Sequence, residues 1–126
     1  IGLDDPVSQH LETYRHDDVT VRDLLAHTAG YTAADGMAVS ERYDNAPGAL
    51  QRAVADLERT GTPGQYAYTS ADYLVLGALI ESVTGEQYGE YLEQSILSPQ
   101  GMSHTGGTAQ AATDLPPGHR LWFGHP

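Results

Sequence analysis

The chain has 126 residues, 40% of them hydrophobic, and a net charge of -11, which is the size of one domain able to bury a core. So acidic a surface is repelled by phosphate backbones and anionic lipid headgroups, which argues against nucleic-acid and membrane-surface partners. The chain lacks cysteine, which excludes disulfides, thiol nucleophiles and cysteine-type zinc sites, and it lacks lysine, its six basic residues all being arginines.

In chain order, residues 1–19 are irregular, with "DDP" at 4–6 as a turn signal. Residues 20–28, "TVRDLLAHT", predict a short helix. Thr20 is the cap, Asp23 falls at the capping-box position three residues on, and Gly30 suits the C-terminal stop. Residues 31–46 are rich in Gly, Ala and Asp and lack periodicity, so a loop is expected. Residues 47–59, "PGALQRAVADLER", carry Leu50, Ala53, Val54 and Leu57 at i, i+3, i+4 and i+7, an amphipathic helix with Pro47 in its first turn. "TGTPG" at 60–64 ends it.

Residues 71–83, "ADYLVLGALIESV", predict a helix apolar almost all round and therefore buried. Ser70 is its expected N-cap, Leu76, Leu79 and Ile80 its expected core residues, and Gly85 its stop. Residues 86–95 predict a further helix that lines up Tyr88, Tyr91 and Leu92 for packing rather than for ligand stacking. Residues 103–126 are irregular, and Trp122 and Phe123 near the end look ready to pack on something. No strand pair, internal repeat or apolar run of the ~20 residues that span a bilayer is present.

Six histidines (His10, His16, His27, His104, His119 and His125) raise the question of a metal. None forms a His-x-x-x-His pair, and no His-Glu-x-x-His motif occurs, so neither a metal nor any other cofactor is expected. The acidic residues are scattered as on a solvated surface.

Three segments in order carry a resemblance: "LDDPVSQHL…VTVRDLLAHTAGY", "PGQYAYTSADYLVLGALIESVTGEQYGEYLEQSILSPQGMSHT" and "GHRLWFGHP". Together they resemble the middle of a serine β-lactamase-like hydrolase, the family of class C β-lactamases, D-alanyl-D-alanine carboxypeptidases and other penicillin-binding-protein-like enzymes, esterases and amidohydrolases. The resemblance implies nucleophilic catalysis. A serine in a Ser-x-x-Lys motif forms an acyl-enzyme, and the lysine and the tyrosine of a Tyr-x-Asn motif handle the proton. Tyr68 matches that tyrosine. Ser70 stands where the family usually has asparagine, offering one hydroxyl in place of an amide donor and acceptor. "HTAG" at 27–30 and "HTGG" at 104–107 both imitate the third motif, His-x-Gly. Neither suits it, since the first ends a helical pattern and the second follows Tyr68 too soon.

The resemblance thus implies a mainly α chain of one domain, the helical subdomain of the β-lactamase/transpeptidase-like fold without its α/β sheet domain. It would form one wall of the active-site cleft and supply Tyr68 and Ser70, while the α/β part, with Ser-x-x-Lys upstream of Ile1, would be its missing partner. The substrate would be a small-molecule or peptide acyl compound, and the setting extracytoplasmic. The isolated chain should be catalytically silent. The alternative is a free-standing, non-catalytic binding module derived from that subdomain. Parted from the α/β domain, Trp122, Phe123 and some of Tyr66, Tyr68 and Tyr73 would be left uncovered and would favour a weak homodimer.

Overall fold

The computed structural model describes residues 1–40 and 46–106, and among these it is helical with no strand. Trp122, Phe123 and most of the stretch expected to be irregular at 103–126 lie outside the described residues. Two compact units are described in turn, Ile1–Tyr88 and Gly89–Pro126.

In the first unit the N-terminal segment runs antiparallel to residues 19–22. Pro6 bridges Thr20, Val7 N donates to Val19 O at 2.9 Å, and Arg22 N donates to Leu3 O at 2.8 Å. A short 3-10 turn, Val7–Gln9, interrupts the stretch expected to be irregular and buries Val7. Helix α1 (Val21–Leu25) starts at the capping box expected of Thr20 and Asp23. It stops in a Schellman arrangement, with His27 N donating to Leu24 O at 3.3 Å and Thr28 N to Asp23 O at 2.9 Å. The left-handed residue of that stop is His27, φ 56°, and not Gly30.

Helix α2 (Ala33–Ser40) occupies most of the stretch expected to be a loop. Its start is a second capping box. Asp35 N donates to Thr32 Oγ1 at 3.3 Å and Thr32 N to Asp35 Oδ2 at 2.8 Å, so local hydrogen bonds make up for the weak apolar pattern. Helix α3 (Ala49–Asp56) buries Ala53 and Val54, with Leu57 just beyond it. Gly48 is its N-cap, so Pro47 stands before the first turn rather than in it.

Helix α4 (Ser70–Thr84) packs against α1, α2 and α3 and is the axis of the unit. Its N-cap is Thr69, whose hydroxyl accepts from Ala71 N at 3.1 Å; Ser70 is the first helical residue and is exposed. The helix is not buried all round. Ala71, Val75, Ala78 and Leu79 are buried, whereas Tyr73 and Val83 face solvent. Leu76 is only half-buried against the core, and Ile80 is half-exposed. The small residues Ala71, Gly77 and Ala78 let the neighbours come close; a Cβ on Gly77 would meet Leu50 Cδ1 of α3 at 3.3 Å.

Helix α5 (Tyr88–Leu92) begins at the boundary between the units and buries none of its residues, Tyr91 and Leu92 being half-exposed. The second unit continues as one π-helical turn, Glu93–Leu97, ending with Ser98 N bonded to Glu93 O at 2.8 Å. No helix of the described residues is long and apolar enough to cross a membrane.

Candidate active site

The segment ahead of α4 is stitched to the segment after α1 by backbone. Gly61 N donates to Gly30 O at 2.9 Å, Gly64 N to Thr28 O at 2.8 Å, and Ala67 N to His27 O at 2.9 Å. The Thr69 hydroxyl adds a bond to Thr32 O at 2.8 Å. Two glycines permit this closeness. A Cβ on Gly61 would come within 2.8 Å of Gly30 O, and one on Gly36 within 2.8 Å of the Ser70 and Thr69 hydroxyl oxygens. Below the loop, Tyr31 is fully buried and its hydroxyl donates to that of Tyr14 at 2.9 Å. Burial pushes the Tyr31 phenol up to about 12.

On this fixed backbone the Tyr68 ring is 71% exposed, between Tyr66 at 72% and Tyr73 at 55%. Tyr68 and Ser70 thus stand together at the head of α4, as their spacing suggests. The sequence gives no hint of what lies between the three tyrosines. His27 sits there, its ring centroid 4.9 Å from that of Tyr68, 5.3 Å from Tyr73 and 6.1 Å from Tyr66. Its Nδ1 is 2.7 Å from Asp72 Oδ2, with the side chains of His27 and Asp72 12% and 1% exposed. With Asp72 ionised the carboxylate only accepts, so Nδ1–H is the donor of this bond.

The pair is costly to hold. The left-handed backbone of His27 costs roughly 1–2 kcal/mol that a glycine would avoid. Asp72 Oδ1 is buried without a hydrogen-bond partner among the described residues. Burial therefore raises the Asp72 carboxyl above its ordinary range, an effect that the His27 bond only partly offsets. His27 and Asp72 lie 45 residues apart, so no linear motif announces them; the one local clue is a histidine at the stop of a short helix where glycine is usual. Among the described residues no group of three or more His, Asp or Glu is placed to hold a metal ion.

A family model described as Beta-lactamase matches residues 1–123. PbpX of Bacillus subtilis (strain 168) is 32% identical over 108 residues, covering 81% of this chain and 25% of its own length. Among solved structures, a D-stereospecific amidohydrolase from Streptomyces sp. superposes with a TM-score of 0.63 at 32% identity, over 82% of this chain and 36% of that one. The octameric penicillin-binding protein homologue from Pyrococcus abyssi gives a TM-score of 0.60 at 29% identity, over 82% and 27%. The chain thus spans about a quarter to a third of the relatives it matches. Its helices are the helical subdomain of their fold, and the chain belongs to the Beta-lactamase family of serine hydrolases.

Proposed function

We propose that this chain forms one wall of the active-site cleft of a serine hydrolase that works through an acyl-enzyme, with Tyr68 as the proton-transfer residue of that wall. One observation supports the reading above all: the Tyr68 phenol is 71% exposed on a backbone tied down on both sides. An exposed ring adds little to folding, but a reactive group must be both reachable and held by a rigid frame. Ser70, exposed at the first position of α4, offers the substrate one hydroxyl. The serine nucleophile and the ammonium that would favour the Tyr68 phenolate come from outside these 126 residues, since without lysine no Ser-x-x-Lys exists within them. In the reaction the external serine oxygen bonds to the substrate carbonyl carbon, the bond from that carbon to the leaving group breaks, and Tyr68 with the external lysine passes the serine proton to the leaving group. Water then releases the acyl group. The amidohydrolase and penicillin-binding protein homologue among its relatives favour an amide or peptide substrate.

The test has two arms. The purified chain is expected to turn over neither nitrocefin nor p-nitrophenyl esters, and no serine in it should react with a fluorophosphonate probe. The longer protein that carries it should turn over one of these substrates or a D-amino-acid amide. Tyr68→Phe should then lower kcat by about 10²–10⁴-fold. Turnover by the chain alone that disappears in Tyr68→Phe would overturn the proposal. A longer protein that binds such compounds without turning them over would favour the non-catalytic module.

A further inference from the structure

We propose that His27, held by Asp72, is a positioning residue that sets the orientation of the Tyr68 phenol. The inference rests on the reading of Tyr68 as the proton-transfer residue and deepens it. No hydrogen bond holds the Tyr68 hydroxyl among the described residues, so packing must aim the ring. Its ring lies against that of His27, the centroids 4.9 Å apart and the planes tilted by 60°. The imidazole can act as a fixed platform because it is itself clamped. Its backbone is locked in the stop of α1, its carbonyl accepts from Ala67 N, and its Nδ1–H is bonded to Asp72.

The clamp and the tyrosine share one element. Tyr68 enters α4 through the Thr69 cap, and Asp72 lies in the first turn of the same helix. Whatever shifts the head of α4 therefore moves phenol and platform together. A helix-to-helix staple would serve as well with any donor reaching Asp72. It would not need a ring set between Tyr66, Tyr68 and Tyr73, nor a left-handed histidine in place of glycine. Asp72 keeps one oxygen buried with no partner among the described residues while the other makes this single bond, which fits a carboxylate placed to orient the imidazole.

Substitution separates the two roles. Asparagine tolerates the left-handed backbone and puts an amide N–H where Nδ1 stands, so His27→Asn keeps the Asp72 bond and deletes the platform. In the longer protein, His27→Asn is expected to fold and melt like the wild type. It should lose up to about 100-fold in kcat, as a misaligned reacting group does, with KM within roughly twofold. Asp72→Asn retains an acceptor for the Nδ1–H without the charge, and is expected to fold and to lose less. In a Tyr68→Phe background both losses should vanish, because His27 acts through the phenol. A His27→Asn enzyme with wild-type kcat, or one that loses the same factor with and without the Tyr68 hydroxyl, overturns the proposal. If Tyr68→Phe itself costs nothing, the reading of Tyr68 fails, and the ring-proton spectrum of the 126-residue chain then decides for His27. Tyr68 signals that move in His27→Asn while those of Tyr14 stay in place uphold the positioning role, and unmoved Tyr68 signals reject it.

Discussion

Asp35 and Asp72 are both buried, yet their hydrogen bonds leave the two carboxyls shifted in opposite directions. Both are almost fully buried, and desolvation raises the carboxyl in each. At Asp35 that push is outweighed by hydrogen bonds from Thr32 N, Thr60 N and the Thr60 hydroxyl, the last at 2.8 Å, so its value lies below the ordinary one. At Asp72 one bond from His27 does not suffice, and the value stays above. Asp35 contributes stability above the unfolded value near ~4, lost as pH falls through its depressed folded value; the Asp72 contribution is present below ~4 and is lost as pH rises through its elevated one. Asp35→Asn should therefore cost about 1.5–3 kcal/mol at neutral pH, the worth of hydrogen bonds to a charged group, and should flatten the acid limb of stability. Urea melts of both chains from neutral pH to below pH ~4 check this, and parallel curves would exclude Asp35 as a source of acid sensitivity. These residues also mark how far the site was legible. Tyr68 and Ser70 lie inside one short pattern, which is enough to nominate them as candidates. His27 and Asp72 are joined only by folding, and the four residues "HTAG" read as a helix stop.

Helix α2 and helix α1 open with the same chemistry, Thr-x-x-Asp, yet only one is evident from the sequence. At α1 the box precedes Val21, Leu24 and Leu25 and is reinforced by apolar spacing; at α2 it precedes "GMAVS" and stands alone. The capping signal at Thr32–Asp35 is present, but with no apolar periodicity behind it the segment reads as a loop. The opposite error occurs in α4, where an apolar sequence cannot say which side faces the core, and the structure leaves Tyr73 and Val83 outside. The packing gives two expectations of sign and size. Leu79, 4% exposed, should cost about 2–5 kcal/mol on Leu79→Ala. Glycine to alanine within a helix ordinarily gains up to about 1 kcal/mol. Gly36→Ala should instead lose about 1–3 kcal/mol, since its Cβ would meet the Thr69 hydroxyl at 2.8 Å and Ala71 N at 3.0 Å. The Ser70 hydroxyl can turn away, but that of Thr69 is pinned between Thr32 O and Ala71 N. Denaturant melts of the two variants measure both, and a stabilised Gly36→Ala chain would show that α2 stands farther from the head of α4.

For the molecule as a whole, the exposed tyrosines and the net charge act against each other. Tyr66, Tyr68 and Tyr73 put three large rings into solvent around one histidine. In the proposed enzyme, that surface would border a cleft completed by the α/β domain. In the 126-residue chain alone it meets water, at roughly 25 cal/mol for each Å² of apolar area. A patch of this kind is relieved most simply by a second copy, in a two-fold arrangement that brings the same rings face to face. Two chains that each carry -11 repel one another, so the pair should be weak at low ionic strength. Salt shortens the reach of that repulsion, to about 10 Å at 0.1 M and about 3 Å at 1 M, and leaves apolar contact intact. Association should therefore strengthen as salt rises, the reverse of what a pair held by opposite charges would do. Sedimentation equilibrium at low and high ionic strength is the measurement, with Tyr66→Ser/Tyr73→Ser as the variant expected to remain monomeric in both. A wild-type chain that stays monomeric at high protein concentration and high salt would show that the tyrosine face needs no cover, and would favour the free-standing module over the wall of a cleft.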